Sequence, residues 1–150
     1  MHPRKYLNLF LPLAVLSLAL FVAGCPVKDP YRAAIKGSDD VSTGVHEAVV
    51  TISKLYSQGV ADDAYKVAAA HYLDEITNCN MTFRKSVVTT HASGQAGAQA
   101  FLPIADSFVS CARQALPPTG PAQGALKAVD SAINGISLAI SSAKGGKVGP

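Results

Sequence analysis

From Val41 to Ile140 the apolar residues recur every three or four positions, and this spacing most narrows what the chain can fold into. An α-helix turns once in 3.6 residues, so residues three and four apart share a face and are buried together. A strand would alternate every second residue, and no segment bounded by turn residues does so. The first stripe, Val45, Val49, Ile52 and Tyr56, predicts a helix over about 41–57. The second, Tyr65, Ala69, Tyr72, Ile76, Cys79, Phe83 and Val87, predicts one over about 63–90. A third spans about 101–116, with Phe101, Ile104, Phe108, Cys111 and Ala115 inward. The fourth stripe is Ala122, Leu126, Val129, Ile133, Ile136 and Ile140.

The breaks between stripes have the chemistry of helix ends. Gly59 suits a C-terminal cap, and Asp62 or Asp63 can cap the next N-terminus. Ser93-Gly94-Gln95-Ala96-Gly97 reads as a turn. Pro103 is tolerable only in a first helical turn, which sets the third helix to begin near Phe101. Pro117-Pro118-Thr119-Gly120 is a stop, and Pro121 suits the first position of the fourth helix. Four amphipathic helices with short loops predict an all-α, antiparallel up-down-up-down four-helix bundle over 41–144, with a flexible tail over 145–150. Counting outward from each turn puts Tyr56 opposite Tyr65, Ile52 opposite Ala69 and Val45 opposite Ile76. The same count puts Phe108 opposite Val129 and Phe101 opposite Ile136. It also brings Cys79 opposite Cys111 across the 93–97 turn, both on core stripes, which predicts a buried disulfide. Closing a loop of that length stabilises by ~3 kcal/mol on the chain-entropy model.

The start of the chain has a different pattern. Met1 to Asn8 carries Arg4 and Lys5 and no acid, and Leu9 to Ala23 is an apolar run of 15 residues. A membrane-crossing helix needs ~20. A basic start, a short apolar core and small residues at a cleavage point form the signal-peptide pattern. Here it ends in Val22-Ala23-Gly24-Cys25, which resembles the lipobox of bacterial lipoproteins. The resemblance covers residues 1–25. It implies a signal peptide over 1–24, cleavage after Gly24, and a covalent lipid on Cys25, with acylation of the new amine. It also implies a bacterial-envelope location. Pro26 stands where an aspartate commonly signals inner-membrane retention, which favours the outer membrane facing the periplasm and leaves the cell surface open. An exported chain meets an oxidising compartment, which favours the disulfide. Residues 25–40, with Pro26, Pro30, Gly37 and six interspersed charges, read as a lipidated terminus and tether in which Tyr31 to Lys36 could form a helical turn.

Charge argues against nucleic acid. Two of the 13 basic residues precede Cys25, which leaves 11 against 10 acids, or +1, in the mature part. A nucleic-acid footprint needs a clustered basic face. No catalytic constellation appears: there is no Cys-x-x-Cys, no Gly-x-Ser-x-Gly and no phosphate-cradling glycine loop. The most suggestive polar cluster is His46, His71, Asp74 and Glu75, because helical spacing puts His71 and Glu75 on one face and the pairing of the first two helices brings His46 near. Bundles hold metals between such groups, but the di-iron pattern needs Glu-x-x-His on two helices, and this chain has only Glu47 and Glu75. The expectation is a non-enzymatic, cofactor-free, lipid-anchored interaction or accessory protein that binds another envelope protein. The alternative is a metal- or small-ligand-binding bundle.

Overall fold

The computed structural model describes residues 28–143, which hold four helices. These are α1 (Pro30–Ser57), α2 (Asp63–Ala92), α3 (Ala98–Ala112) and α4 (Gln123–Ala143). Each packs against the next, and α4 returns to pack against α1, which closes an all-α four-helix bundle. Val22, Ala23, Gly24 and Cys25, the 1–24 segment and the 145–150 tail lie outside the described residues.

The reading of 25–40 as a tether is corrected from Pro30 onward. α1 begins eleven residues before the expected Val41. Asp29 caps it by accepting from the Tyr31 N–H at 3.0 Å, and Pro30 fills the first turn, where its missing N–H costs nothing. Ala33, Ala34, Gly37 and Ser38 are buried. The core face of α1 is also corrected. Ala34, Gly37, Val41, Ala48 and Ile52 are buried, Val45 is half-buried, and Val49 is 46% exposed. The physical reason is close packing between α1 and α4. A Cβ on Gly37 would stand 2.7 Å from Ile136 Cγ1, and one on Gly44 would stand 3.6 Å from Val129 Cγ2. Small residues on α1 let the large Val129, Ile133, Ile136 and Ile140 of α4 approach its backbone, so this small face turns inward.

The α2 and α4 stripes fall as expected except that Tyr65 is half-buried, whereas the inward face of α3 is Ala98, Phe101, Ala105, Phe108 and Ala112, which leaves Ile104 half-buried and Cys111 exposed. Ala69, Tyr72, Ile76, Cys79, Phe83 and Val87 of α2 are buried, as are Leu126, Val129, Ile133, Ile136 and Ile140 of α4. Each buried Val, Leu, Ile or Phe among them stabilises by about 1.5–3 kcal/mol relative to exposure. Phe83 and Phe108 meet with ring centroids 5.0 Å apart. Gly59 and Gly94 adopt φ of +70° and +85° in the two turns expected to need it. Asp62 caps α2 by accepting from the Tyr65 N–H at 2.7 Å.

α3 departs at both ends. It begins at Ala98, not Phe101, and encloses Pro103. The carbonyl that loses its helical partner there is that of Gln99, an exposed residue, so water can take the bond. It ends at Ala112, four residues before the expected Leu116. With 15 residues against the 30 of α2, it spans only half the bundle. The α3–α4 register is shifted too: Ser137 Oγ lies 3.4 Å from Asp106 Oδ1 and Arg113 Nη2 lies 3.5 Å from Asn134 Oδ1. Both pairings fall more than a turn further along α4 than the short-turn count gives, because residues 113–122 form a longer connection.

Candidate functional site

The bundle divides into two polar neighbourhoods. In the half containing α3, Asn80 is buried on α2 between Ile76 and Phe83. Its Nδ2 donates to the Ser38 carbonyl and to Ser42 Oγ, each at 3.0 Å. Ser42 Oγ in turn donates to the same carbonyl at 3.0 Å. Among the described residues Ser38 Oγ and Asn80 Oδ1 have no hydrogen-bond partner. The helical spacing of Asn80 from Ile76 and Phe83 was the available signal for its burial. Outside this node Arg84 pairs with Asp39. At the end of the same half, Tyr31 stacks on His91, with centroids 3.9 Å apart and planes 13° apart, and lies 6.2 Å from Phe101.

Cys79 and Cys111 stand at disulfide distance, with sulfurs 1.93 Å and Cα atoms 5.9 Å apart. The expected facing pair is present, but the expected burial of both is corrected: Cys79 is buried and Cys111 is exposed. The pair lines a cavity of about 80 Å³ with Phe83, Ile104 and Phe108. It therefore fastens α3 to α2 from the rim of the interface. Beside it run two open grooves. One, of about 530 Å³, is lined by Thr82, Lys85, Ser86, Thr89, Thr90 and Ile104. The other, of about 380 Å³ between α3 and α4, is lined by Asp106, Val109, Ser110, Arg113, Asn134 and Ser137.

Beyond the end of α3, tyrosines do the filling. The Tyr72 hydroxyl donates to Asp130 Oδ1 at 2.9 Å and links α2 to α4 across the space α3 does not reach. Burial first, then this hydrogen bond and the carboxylate's charge, push the Tyr72 phenol well above its usual range. Tyr65 Oη accepts from the Ala122 N–H at 3.2 Å, and its ring lies against Gly120, where a Cβ would stand 2.3 Å from Cε2. Tyr56 donates to Asp63 at 2.7 Å, which raises its pKa chiefly through that bond, and Lys66 Nζ lies 3.9 Å from its ring centroid. Sequence spacing placed Tyr56 opposite Tyr65 and put Tyr72 on the same α2 stripe as Tyr65. Their partners Asp130 and Ala122 depended on how far α3 runs.

His71 and Glu75 form an exposed pair, with Nδ1 and Oε1 3.6 Å apart. His46, Asp74 and Glu75 are also exposed. Among the described residues no three His, Cys, Asp or Glu side chains come together as ligands of a metal ion would. Of the expected cluster, the structure brings only His71 and Glu75 together. No helix among the described residues is long and apolar enough to cross a membrane. No protein-family model, curated protein or solved structure matches the chain.

Proposed function

We propose that the chain is a bacterial envelope lipoprotein, anchored through a lipid on Cys25, whose helical bundle serves as a non-enzymatic interaction or accessory module for another envelope protein. The observation that carries this reading is the sequence Val22-Ala23-Gly24-Cys25, at the end of a short apolar run and just ahead of a bundle that begins at Pro30. An interaction role is supported by large apolar side chains left exposed: Val60 in the α1–α2 turn, Val67 at the start of α2 and Leu116 after α3, at 57%, 69% and 82% exposure.

The test is intact-mass spectrometry of protein from bacterial membranes, followed by crosslinking in intact cells. The expected mass corresponds to cleavage before Cys25 plus acyl chains, and one discrete envelope protein crosslinks to the wild type but not to a Val60→Asp, Leu116→Asp variant. An uncleaved, unacylated mass overturns the anchor. A folded, lipidated protein with no such dependence overturns the interaction role.

A further inference from the structure

We infer that the end of the bundle formed by the start of α1 and the α2–α3 turn faces a phospholipid surface, which leaves the opposite end to meet a protein. The inference rests on the reading of Cys25 as the lipidated residue. Only Pro26 to Asp29 separate Cys25 from the first residue of α1. A fully extended chain spans at most ~3.3–3.6 Å per residue, so Cys25 to Pro30 reaches about 17 Å. α1 alone, with 28 residues at ~1.5 Å each, is about 42 Å long. The leash is therefore less than half the length of the body it holds.

The point of attachment is fixed to that body. Asp29 caps α1, the Tyr31 ring stacks on His91 of α2, and Ala33 and Ala34 are buried in the core. The first turn of α1 is thus part of the packed domain.

The charges of the two ends differ in the matching sense. The Ser93–Gly97 turn carries no ionisable side chain. The Asp29 carboxylate is engaged by the Tyr31 N–H and by Arg32 at 3.7 Å. Lys28 is exposed, and the Arg32 side chain is 80% exposed. Lys28 and Arg32 against Asp29 leave this end with a net +1, which phosphate headgroups attract. At the far end Asp62 and Asp63 are both exposed, beside Val60. Lys54 in the last turn of α1 and Lys66 in the first turn of α2 offset these two carboxylates, so the far end has no net positive charge to draw it to an anionic surface.

The test uses the full lipoprotein purified from bacterial membranes and reconstituted into phosphatidylcholine–phosphatidylglycerol vesicles. An environment-sensitive fluorophore is placed at Gln95→Cys in the α2–α3 turn or at Gln58→Cys in the α1–α2 turn, both exposed positions. Lipids with a nitroxide on the headgroup act as quencher. The expected result is several-fold stronger quenching at position 95 than at 58, and loss of that contrast when ten Gly/Ser residues are inserted after Pro26. Equal quenching at the two positions, or stronger quenching at 58, overturns the orientation. Intact mass and vesicle flotation of each sample keep the premises apart. Lipidated, floating protein without the contrast sinks the orientation alone, whereas unlipidated protein that does not float sinks the anchor and the orientation with it.

Discussion

The two halves of the bundle solve one packing problem with different materials. Where α3 is present, four helices enclose a core of Phe83, Phe101, Phe108, Val87 and Ile140, and the Cys79–Cys111 link ties the short helix to its neighbour. Where α3 has ended, three helices and the 113–122 connection enclose the space, and Tyr65 and Tyr72 reach across it to backbone and carboxylate. The first half is held by apolar area and a covalent link. The second depends on hydroxyls that must find partners, because a buried phenol without one forfeits its hydrogen bond to water. The α3 half should therefore respond to truncation and reduction, and the tyrosine half to loss of single polar atoms and to alkali.

Phe101→Ala probes the first half most severely. Phe101 is fully buried, so its removal should cost about 3–5 kcal/mol in denaturant unfolding, with α3 losing hydrogen-exchange protection before α4. A loss below about 1 kcal/mol would mean that α3 contributes little to the core. Next, replacing Cys79 and Cys111 together by Ala should cost ~3 kcal/mol, and reductant should destabilise the wild type by a similar amount while leaving the double variant unchanged. Cys111 is exposed, so reduction should proceed without global unfolding.

In the tyrosine half, Tyr72→Phe should cost about 1 kcal/mol at neutral pH through loss of the bond to Asp130. The Tyr72 pKa is raised in the folded state, so its contribution is complete below the ordinary phenol value near 10 and is lost as pH rises through the folded value. Thermal melts should fall more steeply above pH 10 for wild type than for Tyr72→Phe, and parallel curves would deny Tyr72 this role. The smallest effects test the α1–α4 seam, which runs through both halves. Gly44→Ala meets only ordinary contacts and removes a helix-interior glycine, so it should stabilise by about 0.5–1 kcal/mol. Gly37→Ala should instead destabilise by about 1 kcal/mol, because the new methyl is driven into Ile136 and overpacking exceeds the gain in helix propensity. Equal effects at the two glycines would mean that α1 and α4 are not packed as closely as described.

The sequence alone determined the helical class, the first two turns and the α2 and α4 core faces, but not the 113–122 connection, where α4 begins at Gln123 and not at Pro121. Large apolar residues at a 3.6 period, Asp62 at a cap and glycines at left-handed positions are local physics, decided within a few residues. It also brought Cys79 and Cys111 together, since an antiparallel hairpin with a short turn fixes its own register. The Asp29-Pro30 start of α1 was written there as well, but charges and Gly37 obscured it. Only the tertiary structure decided which face of α1 turns inward, because alanines and glycines are nearly silent in a hydrophobic pattern and gain their value from the large side chains opposite. It alone decided the reach of α3, and through it the partners of Tyr65 and Tyr72, because a helix end is set by what the neighbouring chain can cover.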